Sequence, residues 1–169
     1  MITTENKIKY DFDELISISN GEYFSPDSGI LPKPPMLMFD RISLITEQGG
    51  KFGNGQVIAE LDIKPNLWFF GCHFKDDPVM PGSLGLDGMF QLTGFFLTHL
   101  GFKGKGRALG CKTLKFFGEI LPNNKLVRYI IDIKRIFNLQ MKMIVSDGRI
   151  EVDGNTIYTC EDMRVGLIA

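Results

Sequence analysis

Between Tyr10 and Ser19, Phe12, Leu15, Ile16 and Ile18 recur among acidic residues at helical spacing, and Asn20-Gly21 follows as a stop signal. The pattern predicts a short amphipathic helix. Gly29 to Pro35 reads as a proline-containing connector, after which Met36 to Thr46 and Gly53 to Ile63 read as two strands of a hairpin joined near Gly49-Gly50. Leu67 to Gly82 is a loop dense in aromatics, glycines and prolines. Ser83 then stands where a helix N-cap would, its hydroxyl able to accept a backbone N–H. The helix predicted from Leu84 to Leu100 is apolar on nearly every side, with Leu84, Leu86, Met89, Phe90, Leu92, Phe95, Phe96 and Leu97. A surface helix could not expose so much apolar area to water, so other elements must wrap it.

Beyond a Gly- and Lys-rich turn at Gly101 to Gly106, the pattern changes to that of strands: Leu109 to Ile120, Lys125 to Phe137, Gln140 to Val152 and Thr156 to Leu167. Alternation is clearest where Val127, Tyr129, Ile131 and Ile133 fall on one face. Asp153-Gly154 supplies the turn of the last hairpin, its glycine accepting the positive φ such turns require. Two strands, an apolar helix and four more strands on short turns predict an α+β architecture, an antiparallel sheet curling around one central helix. Residues 1–169 are expected to form a single domain with a short helical segment at the N-terminus; no internal repeat or interdomain linker interrupts them.

Composition narrows the picture. A chain of 169 residues, 44% hydrophobic and 23% charged, can bury one sizeable core. A net charge of −1 excludes the broad basic excess that nucleic-acid or anionic-membrane binding requires. Met1 to Tyr10 is polar and reads as neither a secretory signal nor a membrane span; the apolar run Leu84 to Leu100 is interrupted and short for one. Cys72, Cys111 and Cys160 form no Cys-x-x-Cys pair, so a reduced, cytoplasmic protein without a structural metal is expected.

Candidate chemistry concentrates between residues 68 and 91. His73 lies in Trp68-Phe69-Phe70-Gly71-Cys72-His73-Phe74, where burial would favour a neutral imidazole able to act as a general base. A core histidine satisfied by a backbone carbonyl is the alternative. Asp87 lies one turn inside the apolar helix, where an ionised carboxylate needs a partner. Gln91 shares its face, and either a catalytic or a capping role fits. Pro81-Gly82-Ser83 would present free N–H groups at the helix start, suited to a carbonyl oxygen that gains negative charge. His99, near the helix end, reads as a dipole-favoured or capping side chain, and Cys72 as a packed thiol.

The runs Trp68 to Phe74, Asp77-Pro78-Val79-Met80-Pro81-Gly82 and Leu84-Gly85-Leu86-Asp87 closely resemble the bacterial 3-hydroxydecanoyl-acyl-carrier-protein dehydratase/isomerase family. Met36-Leu37-Met38, Asp40-Arg41, Gly104 to Gly110, Lys115-Phe116, Leu121-Pro122, Lys134-Arg135 and Val165-Gly166-Leu167 extend the likeness over residues 20 to 168. The resemblance implies a hot-dog fold and dehydration of 3-hydroxyacyl-acyl-carrier-protein to the trans-2-enoyl thioester in fatty acid biosynthesis. Isomerisation of trans-2-decenoyl to cis-3-decenoyl thioester would follow. It implies His73 and Asp87 as catalytic residues, and Gly82 at a carbonyl-binding helix start. Ser83, Val79, Phe74 and Gln91 lie around the substrate, with Phe74, Val79 and Phe95 along an acyl tunnel. It also implies no metal and no cofactor, acyl carrier protein as partner, and a homodimer whose sites pair His73 of one chain with Asp87 of the other.

Asp87 favours the isomerising branch, since the related dehydratases usually carry Glu there. Ser83 departs from the cysteine usual beside the oxyanion glycine, and Leu139-Gln140 from arginines that help bind the carrier. Lys134, Arg135, Lys142 and Arg164 are candidate carrier-docking cations or simply a solvated strand face. A non-isomerising dehydratase, a hot-dog thioesterase and a non-catalytic carrier-binding module are the competing functions.

Overall fold

Helix α1 (Phe12–Asn20) opens on a capping box, in which Asp11 Oδ1 accepts from Glu14 N–H at 2.9 Å and Glu14 Oε2 from Asp11 N–H at 3.0 Å. Gly21, at φ 78°, ends it. Leu15 and Ile18 face inward, while Tyr10 ahead of the helix exchanges backbone bonds with Ile42. The computed structural model describes residues 8–168, so most of the polar opening stretch Met1 to Tyr10 lies outside the described residues.

Seven strands follow: β1 (Arg41–Thr46), β2 (Gln56–Asp62), β3 (Lys105–Gly110), β4 (Thr113–Phe116), β5 (Leu126–Asn138), β6 (Lys142–Val152) and β7 (Asn155–Ile168). All pairings are antiparallel in the order β1-β2-β5-β6-β7-β3, with β4 also on β7. Helix α2 (Gly82–His99) packs against β5, β6 and β7, burying Met89, Leu92 and Phe96 with Val127, Tyr129, Ile131 and Ile150. This is the antiparallel sheet with one central helix expected from the pattern. No helix among the described residues is long and apolar enough to cross a membrane.

Two glycines let α2 sit close to the sheet. A Cβ at Gly88 would lie 2.7 Å from the Tyr129 ring, and one at Gly85 would lie 2.8 Å from the Tyr158 ring. Close packing here sets the height of the helix, and therefore of every side chain it projects.

Local expectations fail in three places. Met36 to Asp40 is not strand, because its polar atoms bond to side chains and to β2 outside the β1 ladder: Met38 N–H donates to Gln91 and Asp40 N–H to Glu60 O. The expected strand Leu109 to Ile120 is interrupted after Gly110, whose φ of 139° breaks the extended run, and its first part begins inside the presumed turn at Lys105. All six positions of β3 are exposed, so no apolar alternation marks it. Finally, α2 begins at Gly82 with Pro81 as its cap (φ −54°, ψ 128°); Ser83 is already helical and caps nothing.

Candidate functional site

A short 3₁₀ turn (Trp68–Gly71) anchored by buried Phe69 and Phe70 delivers His73. Its backbone is pinned from both sides, with His73 N–H donating to Phe69 O at 3.0 Å and His73 O accepting from Val79 N–H at 2.8 Å. The ring nitrogen Nδ1 lies 2.9 Å from Val79 O. A carbonyl can only accept, so Nδ1 carries a proton, which in the uncharged tautomer leaves the lone pair on Nε2. His73 is half-buried, not buried, because the following loop leaves Phe74 55% exposed even as that ring lies 3.8 Å from the imidazole.

Asp87 sits in the second turn of α2, beyond the reach of strong helix-dipole support. Its partner is a side chain: Gln91 Nε2 donates to Oδ2 at 2.6 Å. The same amide donates to Met36 O at 2.8 Å and accepts from Met38 N–H at 3.2 Å. With Trp68 Nε1 donating to Pro35 O at 3.1 Å, residues 35–38 form a clamp between the histidine loop and the helix.

The carboxylate forms part of the wall of a cavity of about 360 Å³. Helix α2 contributes Asp87, Gln91, Gly94 and Thr98, one face by spacing, and Ile30, Met36, Phe95 and Val165 make the space largely apolar. Against the neighbouring turn of the helix, the Tyr129 hydroxyl is fully buried without a hydrogen-bond partner among the described residues. Burial foremost, then the nearby Tyr158, Asp87 and Asp40, pushes its pKa above the usual phenol range.

At the helix start, Phe116 lies across Gly82 so closely that a Cβ would sit 2.7 Å from its ring. Leu84 N–H donates to Pro81 O at 3.0 Å, and no side chain caps the N–H groups of Gly82 and Ser83 ahead of it. Ser83 beside them is exposed.

Within one chain the structure brings Asp87, Gln91 and Phe95 to a single cavity; His73, Phe74, Val79, Gly82 and Ser83 do not line it. Of the four cations singled out, Lys134 is held by Asp147 at 2.7 Å and Asp162 at 2.6 Å, and Lys142 lies over the Phe102 ring. Burial opposes the charge of Lys134, but its two carboxylate bonds outweigh this and raise its pKa. Arg135 and Arg164 share a surface hollow with it. Cys72 is exposed, not packed, its Sγ bonding weakly to Trp68 O and Phe69 O. His99 does not cap the helix: it is buried, with Nδ1 2.9 Å from the Tyr10 hydroxyl. Sequence reading missed Gly94, Thr98 and Arg107 as cavity residues. Steps of seven and eleven from Asp87 would have found the first two.

Among the described residues no three His, Cys, Asp or Glu side chains converge as metal ligands. Residues 31–161 match the FabA-like domain family, and the chain belongs to that family. Its architecture is the hot-dog fold. Among solved structures it is similar to the dehydratase heterocomplex ApeI:P from Xenorhabdus doucetiae, at 12% identity and a TM-score of 0.58, over 81% of this chain and 86% of that one. AziG of S. sahachiroi gives 8% identity and a TM-score of 0.53, over 75% and 89%. A hypothetical thioesterase with coenzyme A from Streptococcus pneumoniae TIGR4 gives 8% and 0.52, over 76% and 84%. At these identities the likeness is one of fold.

Proposed function

We propose that the protein removes water from a 3-hydroxyacyl thioester. The observation that carries this reading is Asp87, a carboxylate on an apolar helix, held by Gln91 at the wall of a cavity suited to an acyl chain. His73 Nε2 takes a proton from the carbon next to the thioester carbonyl. The Gly82 N–H steadies the oxygen on which charge develops, and the Asp87 side chain delivers the proton with which the hydroxyl leaves as water. The product is a trans-2-enoyl thioester. With a ten-carbon chain the same base shifts a proton from C4 to C2, converting trans-2 to cis-3. Ser83 and Val79 flank the reacting carbons.

Two chains complete each site: His73 reaches the Asp87 of a partner across a two-fold axis. Supporting this, His73 does not line the cavity of its own Asp87, and the exposed edge strand β3 is free to pair with a second copy. Acyl carrier protein is the proposed donor of the thioester, meeting the surface of Arg135 and Arg164, flanked by Lys134 and Lys142.

Product analysis with 3-hydroxydecanoyl carrier thioester tests the reaction. The expected products are trans-2-enoyl and cis-3-enoyl thioesters; release of free thiol would instead mean a thioesterase, and no product at all a binding module. For the shared site, His73→Ala and Asp87→Asn chains are refolded together. Random pairing makes roughly half the dimers mixed, each with one intact site, so activity recovers to about a quarter of wild type. No recovery in confirmed mixed dimers excludes the arrangement.

A further inference from the structure

A second cavity, of about 170 Å³, lies against the clamp at residues 35–38, between the start of α1 and the turn ahead of His73. Four aromatic side chains line it, Phe12, Phe39, Trp68 and Phe69, together with Pro35 and Asp40. Phe39 and Phe69 are buried and make its floor, whereas Phe12 and Trp68 stand at the rim, 46% and 43% exposed. The Trp68 indole is fixed there by its bond to Pro35 O at 3.1 Å and by an edge contact with the Phe69 ring, the centroids 5.7 Å apart. The rim is therefore set without a ligand.

Asp40 is the member that packing does not explain. A half-buried carboxylate normally has a cation or several hydrogen bonds beside it. Here Oδ2 accepts from Asp62 N–H at 2.8 Å, while among the described residues Oδ1 has no hydrogen bond and neither oxygen an ion pair. The adjacent Arg41 is committed elsewhere, donating to Glu60 at 2.8 Å and to both oxygens of Asp62 at 2.8 and 2.9 Å. No lysine or arginine lines the cavity. The Asp40 charge is also felt at the buried Tyr129 hydroxyl, so it is directed toward the interior and not only toward solvent.

We propose that this cavity binds a compact alkylammonium cation, its methyl groups against the rings and its charge beside Asp40. Aromatic faces carry negative potential and attract such a cation, which also brings the counter-charge that Asp40 lacks. A metal ion fits poorly, because one carboxylate among hydrocarbon walls cannot replace the oxygen ligands of its hydration shell. A guanidinium or primary ammonium would leave N–H donors unpaired against the rings. A neutral apolar guest would fill the space and leave the carboxylate uncompensated. The cavity shares no residue with that of Asp87, and the inference does not depend on the thioester reading.

Choline and its uncharged isostere 3,3-dimethylbutan-1-ol test this on the whole protein, by calorimetry and by the emission of Trp68, the single tryptophan of the chain. Choline is expected to bind saturably, to change the Trp68 emission, and to bind about tenfold more tightly than the alcohol. Asp40→Asn keeps an oxygen for the Asp62 N–H. It should weaken choline about tenfold and leave the alcohol unchanged. Phe12→Leu keeps apolar bulk at an exposed position and removes one ring face, and should weaken choline about threefold. Unchanged binding of the alcohol shows that the cavity survives in each variant. Absence of saturable choline binding, equal affinity for the alcohol, or a choline affinity that survives Asp40→Asn overturns the assignment. Heat of binding without a change at Trp68 places the cation elsewhere and overturns it equally.

Discussion

Helix α2 has two faces of opposite character. Along one, Gly85, Gly88, Met89 and Leu92 meet the sheet, and each position is either apolar or too crowded for a side chain. Along the other, Asp87, Gln91, Gly94 and Thr98 border the cavity. A helix this apolar needs no carboxylate to fold, and burying one is unfavourable. The contrast separates residues that place the helix from residues the helix places.

The sharpest way to break this comparison is Asp87→Asn, which preserves shape and removes the acidic proton. Turnover of a 3-hydroxyacyl thioester should fall by ~10²–10⁴-fold, with the thermal transition essentially unchanged. Near-normal turnover by the folded variant would remove Asp87 from the mechanism. On the opposite face, Gly88→Ala drives a methyl into the Tyr129 ring and the Met38 Cβ, and should lower stability by ~1–3 kcal/mol in a denaturant titration. An unchanged midpoint would mean that the helix is not seated by its glycines. Gly94→Ala offers a finer distinction. Its Cβ would lie 3.3 Å from Val165, and the gain in helix propensity, up to ~1 kcal/mol, offsets that crowding. Stability should hold while KM for the thioester rises; a large stability loss would place Gly94 with the seating residues. The smallest expected effect is that of Ser83→Cys, with kcat within about tenfold, equivalent to ~1.4 kcal/mol. A greater change would give the Ser83 hydroxyl a part in the chemistry.

Sequence period explains what could be read beforehand. Helix α2 was legible because nearly every position is apolar, and β5 because Val127, Tyr129, Ile131 and Ile133 alternate over a buried face. Strand β3 was not, since its six residues are all exposed and include two glycines that look like a turn. Ser83 misled because a hydroxyl residue before an apolar run usually caps, whereas Pro81 here already holds the non-helical geometry. His73 and Asp87 stood out by residue type and neighbouring motif. The clamp at residues 35–38 did not, because it is made by one amide reaching main-chain atoms 55 and 53 positions away. Nor did Arg107, which reaches the cavity only because β3 folds back onto β7.

That clamp has a consequence for cooperativity. Trp68, just ahead of His73, is tied to Pro35 O, and Met36 and Met38 hold Gln91, which holds Asp87. In a dimer with shared sites, one chain lends its histidine to one site and its aspartate to the other. On the proposed two-chain site, the clamp would join the two sites through a single chain, and occupancy of one would be felt at the other as a coupling free energy. Mixed dimers carrying one restored site expose it directly: a rate per intact site different from that of wild type measures how strongly the sites are linked.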